Sequence, residues 1–316
     1  MSTQSILATA TEQPRDPERR HRLRLYAAYL VAVAFITAVA VNGHTYYLLS
    51  LADRPYSPQH AALKPSGSVG LKLGIVGFCC FVIIFLYPLR KRWAWLQRQG
   101  SSRHWLDFHV VLGLSAPFVI AFHASFKFQG FAGMAFWIML AVSISGIVGR
   151  YLYAQVPRRV NSTEISLKEL KEQQEDLLQK LSVQKMFWKP QLSHLFRLPS
   201  EQQISRSSLP VCLAQMIMLD LARPFHVARL RLRLLSPWQA ITTCGGLLKS
   251  SNWELERVIA LVREQASLSK RLLFLSRTQK VFHLWHVVHR PFSYTFVVLV
   301  TIHIVVVVMM GYVRIR

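Results

Sequence analysis

Acidic residues are scarce in this chain: 15 Asp and Glu stand against 38 Lys and Arg in 316 residues, a formal net charge of +23. Cysteine is scarcer still. Four residues with no C-x-x-C pair and no C-x-x-C-H exclude a disulfide scaffold, a cysteine-ligated iron–sulfur cluster and covalently attached c-type haem. Fourteen Gly and fourteen Pro are too few for a collagen-like chain. No G-x-G-x-x-G stands between a strand and a helix to cradle a dinucleotide. The first 22 residues carry Arg15, Arg19, Arg20 and Arg22 but no apolar core ahead of a small-residue cleavage site, which argues against a cleaved signal peptide.

What the chain has in quantity is apolar surface: 52% of its residues are hydrophobic, with 18 Phe, 10 Tyr and 8 Trp. That excludes disorder as a global description, and one soluble surface cannot hold both this much charge and this much grease. The two are segregated along the chain. Five runs are long and apolar enough to cross a hydrocarbon core of about 30 Å as helices: Leu23 to Leu49, Gly70 to Leu89, Trp105 to Phe128, Phe131 to Val156 and Pro291 to Val313. The basic residues collect in the N-terminal segment, in the loop from Arg90 to Arg103 and in the stretch from Pro157 to Lys280. By the positive-inside rule these three regions face the cytoplasm, with Trp93, Trp95 and Trp105 as an interfacial belt.

The expected architecture is therefore an all-α, polytopic membrane helix bundle of about five spans with a helical cytoplasmic insert. Its parts are a basic N-terminus over 1–22, spans one to four over 23–156, the insert over 157–280, and an interfacial segment with span five over 281–316. Within the insert the pattern predicts an amphipathic helix from Ser162 to Gln184 and further helices around Leu213 to Arg223 and Asn252 to Phe274, separated by Pro224, Pro237 and the Gly245-Gly246 pair. The run from Val211 to Ala222 is too short to span and is expected within the insert or against the membrane surface.

Four of the twelve histidines share a spacing. His109 and His123 in span three are fourteen residues apart, and so are His289 and His303 at span five. Fourteen steps of about 100° return to within roughly 40° of the start, so each pair occupies one helix face, its members about 21 Å apart along the axis. With both spans running outward, His109 meets His289 near the cytoplasmic leaflet and His123 meets His303 near the outer one. Two imidazoles at one depth on facing helices can supply both axial ligands of a haem iron, and two levels make an electron path through the bilayer. Isolated histidines inside a membrane are costly without a function. Zinc suits the pattern less well, because no third or fourth ligand accompanies either level.

In the segments FHVVLGLSAPFVIAFH and HRPFSYTFVVLVTIH the chain resembles ferric-reductase-like transmembrane cytochromes and, more widely, membrane di-haem b cytochromes. The resemblance covers the membrane part only. It implies that His109, His289, His123 and His303 ligate two b-type haems, and that Gly113, one turn after His109, lets a porphyrin lie against the helix. His283 and His286 are fallbacks for His289, because Pro291 either kinks the helix there or starts it. Arg290, Arg150 and Arg103 suit the propionates of the inner haem and Lys127 those of the outer, although membrane anchoring explains any single Arg as well. His44, with Tyr46 and Tyr47, borders a quinone, ligates a further haem or is a satisfied interfacial histidine. Nothing after span five could hold flavin or nicotinamide, so electrons are expected from quinol or another protein.

The expected function is transmembrane electron transfer, as a quinone-linked cytochrome b subunit in a bacterial-type cytoplasmic membrane. Its partners would be membrane lipid and a redox subunit, with no nucleic acid. The rivals are an autonomous outer-face reductase of metal or oxygen and a non-redox membrane adaptor with a basic insert.

Overall fold

A computed structural model describes residues 17–155, 199, 201–234, 243–250 and 253–312. All regular structure in it is helical: α1 Pro17–Tyr47, a 3-10 turn Arg54–Tyr56, α2 His60–Leu63, α3 Ser68–Arg90, α4 Ala94–Gln97, α5 Ser102–His123, α6 Gly130–Gln155, α7 Glu201–Arg206, α8 Leu209–Leu234 and α9 Trp253–Met309. Six of the described helices, α1, α3 (with α2), α5, α6, α8 and α9, are long and apolar enough to cross a membrane. The protein is thus an all-α, multi-pass membrane protein. Five of the six are the runs read from the sequence; α8 is the addition. The amphipathic helix expected over Ser162 to Gln184 lies outside the described residues.

The chain forms two compact units, residues 1–148 with 288–316, and residues 149–287. In the first, α3 and α5 make the most intimate pair and α1 packs along α5. Contacts fix the directions. Gly70 and Ile84 of α3 meet His123 and His109 of α5, so those helices are antiparallel. His21 of α1 meets Asp107, and Tyr47 meets Phe122, so α1 runs with α5. Phe136 and Met139 of α6 and Phe296 of α9 share a buried cluster with Phe81, Ala116 and Ala121 at mid-bundle. The Phe81–Phe296 pair is edge-to-face at 4.7 Å, a contact that contributes about 0.5–1.5 kcal/mol beyond area burial.

Two buried arginines shape the turns. Arg90 donates to Ser102 Oγ at 2.6 Å and to the carbonyls of Gln97 at 2.9 Å and Gly100 at 2.8 Å, folding the loop after α3 back on α5. Arg54 donates to the carbonyls of Tyr47 and Leu49, at the end of α1, and to that of Ser125, just past α5. A cation shared by two helix C-termini meets unsatisfied carbonyls and the negative end of both dipoles. The expected span to Phe128 stops at His123 for the same local reason: Ser125 and Phe126 both have positive φ, 48° and 58°. Phe126 N–H closes back on the Ala121 carbonyl, and Ser125 Oγ donates to the Leu63 carbonyl.

The second unit is built on α8 and residues 253–287 of α9. Pro224 was expected to separate helices, but α8 runs through it, and α9 likewise runs through Pro291. In α8 the helix is held on both sides of the proline: Asp220 Oδ2 accepts from Lys270 Nζ at 2.5 Å and from Tyr151 Oη at 2.7 Å, and Arg231 makes a two-pronged bond to Glu256 at 2.8 and 2.7 Å. The chain does turn at Gly245 and Gly246, whose φ angles are +67° and +78°.

Replacing Arg54 with Ala is expected to cost on the order of 3 kcal/mol, since three carbonyls lose one donor group together. The check is the thermal unfolding midpoint in detergent. Arg54→Lys recovers only part of the loss, because an ammonium cannot span three acceptors as the guanidinium fork does.

Candidate functional site

The first unit sets the four histidines in register. Residues 109, 116 and 123 of α5 face residues 289, 296 and 303 of α9: Ala116 and Phe296, midway along each pair, share the mid-bundle cluster. His123 and His303 lie within electrostatic reach of each other. At the other level Lys91 lies within such reach of both His109 and Arg290. The sequence-predicted pairs therefore sit at two levels, with His289 beside Ser145 of α6.

The rings are oriented from behind. His109 Nδ1–H donates to the Ile84 carbonyl at 3.0 Å, and His123 Nδ1–H to the Gly70 carbonyl at 2.8 Å. Ile84 is free to accept because Pro88, four residues on, has no N–H to return to it. His289 Nδ1 is 2.7 Å from Ser145 Oγ, whose own proton goes to the Val142 carbonyl, so the imidazole is the donor. In all three the Nδ1–H tautomer leaves the lone pair on Nε2, the atom that binds a metal when Nδ1 is held by an acceptor. A Cβ at Gly74 would stand 2.8 Å from the His123 ring, so the glycine makes room for that imidazole.

Around the inner level the structure adds residues that the spacing alone does not indicate. Tyr87 lies 5.2 Å from the His109 ring and carries Lys91 Nζ 5.4 Å from its own centroid. Burial, and then the charge of Arg290, push the Lys91 ammonium below its ordinary value. Lys91 and Arg290 are two exposed cations near each other at this level. A Cβ at Gly113 or at Gly146 would meet nothing within 4 Å, so helix contact accounts for neither glycine. Pro117 frees the Gly113 carbonyl, and Ser143 Oγ donates to it at 2.8 Å.

The other expected site residues are placed elsewhere. Arg103 pairs with Glu18 at 3.3 Å. Arg150, His283 and His286 belong to the second unit; His286 Nδ1–H donates to the Phe282 carbonyl one turn back, and His283 is exposed. His44 Nδ1–H donates to the Val41 carbonyl of its own helix, and Lys127 is exposed. A second polar cluster, missed in the sequence, joins α1 to α5: His21 Nε2 is 3.0 Å from Asp107 Oδ2 and its ring stacks on His104 at 3.6 Å. Its signal was available, because Asp107 is the one acidic residue in the five apolar runs.

No known protein family, curated protein or solved structure matches the chain. The chemistry of the site is read from its donor set alone. Among the described residues no group of three or more His, Cys, Asp or Glu converges, whereas an iron with two axial imidazoles needs only one histidine from each side. Histidines at two levels, with open space at the Cβ positions of Gly113 and Gly146 and cations near one level, suit haem better than a polydentate metal site.

In ¹⁵N-histidine-labelled protein at neutral pH, His109, His123 and His289 are expected to give protonated Nδ1 and unprotonated Nε2 resonances. Nε2–H tautomers at these positions would contradict the orientation.

Proposed function

We propose that this chain is a transmembrane cytochrome b that moves electrons between the two faces of a bacterial-type cytoplasmic membrane through two bis-histidine b haems. The observation that carries the reading is the matched register of 109, 116 and 123 with 289, 296 and 303, with Nδ1 of three of the histidines already engaged as a donor. When bound, haem b supplies a one-electron couple at each level.

The protein's part is to hold and tune. His109 and His289 are the inner ligands, His123 and His303 the outer. The carbonyls of Ile84 and Gly70 and the hydroxyl of Ser145 fix the imidazole planes and make Nε2 more basic. Arg290 and Lys91 hold propionates at the inner level, and Gly113 leaves space for the macrocycle face. The Phe81–Phe296 pair and the residues packed on it exclude water between the levels. One histidine from each helix at each level would hold a haem from both sides, and a group held so would supply outer-sphere electron transfer rather than oxygen binding. Quinone on one side and a partner redox subunit on the other are its exchange partners.

Purified protein is expected to contain two non-covalent haems per chain and to give reduced-minus-oxidised Soret and alpha bands with dithionite. His123→Ala and His303→Ala each leave one haem. Protein without haem sinks the cytochrome reading, and two haems retained in both variants sink the ligand assignment.

A further inference from the structure

The loop from Arg90 to Arg103 between α3 and α5 holds five basic residues, no acidic residue, and Trp93 and Trp95; Trp105 follows in the first turn of α5. Read from the sequence, these side chains form one interfacial belt. The structure divides them into two groups, and the first holds the loop in shape. Arg90 bonds Gln97, Gly100 and Ser102, and its guanidinium lies 5.9 Å over the Trp105 ring. Trp105 Nε1–H donates to the Gln99 carbonyl at 2.6 Å. Leu96 is buried, Gly100 takes a φ of +65°, and Ser101 Oγ caps α5 by accepting from the His104 N–H at 3.3 Å. Arg103 pairs with Glu18, and Lys91 lies over the Tyr87 ring.

The second group faces outward. Trp93 and Trp95 are 55% and 62% exposed, their rings edge-to-face at 6.4 Å. Arg92 and Arg98 are exposed too, and among the described residues neither has a carboxylate partner. Arg92 adjoins Trp93, and Arg98 stands three residues after Trp95 across the single turn of α4, so the cations flank the ring pair. The helices that the loop joins fix its depth. α3 and α5 are antiparallel neighbours, each long and apolar enough to cross a membrane, so the chain between them turns at a membrane surface. The N–H groups of Arg92 and Trp93 both return to the Leu89 carbonyl, at 2.9 and 3.0 Å. Trp93 is thereby kept within one turn, roughly 6 Å, of the last apolar residue of α3. The polar layer on each side of a hydrocarbon core is about 5–7 Å deep. These indoles therefore stand among the lipid headgroups, where both an apolar ring and its N–H are accommodated.

We propose that Arg92 and Arg98, with Trp93 and Trp95, form a seat for the headgroup of an anionic phospholipid of the surrounding bilayer. The indoles set the depth of the loop and the two guanidiniums bond the lipid phosphate, which no acidic residue of the loop competes for. Trp105, Arg90 and Arg103 are spent on the loop itself and take no part. The assignment rests on the membrane fold and on neither haem nor the second unit, so it stands or falls separately from the electron-transfer reading.

The test uses the full-length protein labelled with 5-fluorotryptophan, the Trp93 and Trp95 fluorine resonances being assigned with Trp93→Phe and Trp95→Phe. In nanodiscs, lipid spin-labelled at the headgroup is expected to broaden both resonances. If it leaves them sharp while a water-soluble gadolinium chelate broadens them, the loop stands in water and the proposal is overturned. In neutral detergent, titration with phosphatidylglycerol is expected to shift the two resonances to saturation, and phosphatidylcholine is not. Arg92→Gln and Arg98→Gln should each weaken the phosphatidylglycerol titration about fivefold. An equal response to both lipids, or an unchanged titration in both variants, overturns the assignment of an anionic headgroup to this loop.

Discussion

The arrangement depends on main-chain carbonyls of α3 that accept hydrogen bonds from a neighbouring helix. Ile84 and Gly70 are fourteen residues apart, the same interval as His109 and His123, so antiparallel helices bring each carbonyl to one imidazole. A helical carbonyl is ordinarily committed to the N–H four residues on. Pro88 removes that commitment at Ile84, and Pro117 does the same for Gly113, whose carbonyl takes the Ser143 hydroxyl. Prolines that would weaken a helix in water here provide acceptors where no water competes, and neighbouring side chains satisfy them. The result is a set of imidazoles with fixed rings and fixed tautomers.

The same economy governs the ends of the bundle. Arg54 and Arg90 are buried, Arg54 donating to three helix-end and loop carbonyls and Arg90 to two loop carbonyls and the Ser102 hydroxyl. They close the outer turn between α1 and α5 and the inner turn between α3 and α5, which keeps α5 at one depth. That depth matters, because the register of α5 with α9 sets whether two histidines reach one level. A shift of one residue would rotate a ring by about 100° and end the pairing.

Much of this was legible in the sequence. The five apolar runs gave the spans of the bundle, and the fourteen-residue intervals pointed to the histidines that α5 and α9 hold at two levels. Other features were hidden for physical reasons. Ser125 and Phe126 end α5 in left-handed conformations without a glycine to announce it, because Arg54 and Leu63 hold that turn from a distant loop. Pro224 and Pro291 look like breaks, yet α8 and α9 run through them, and in α8 side-chain bonds hold the helix on either side of the proline. Arg90 reads as a topological charge, and its role as a loop staple shows only once the loop folds Gln97, Gly100 and Ser102 around its guanidinium. Lys91 and Tyr87 have no spacing signal at all; only the approach of α3 to α5 and α9 brings them beside His109.

The claim that each level holds one iron between two imidazoles is tested most directly by electron paramagnetic resonance of the oxidised, purified protein. Two low-spin ferric signals of the bis-imidazole type are expected, with His289→Ala converting one of them to high spin and leaving the other unchanged. A high-spin signal in the unmodified protein, a single low-spin species, or no haem signal would contradict the account.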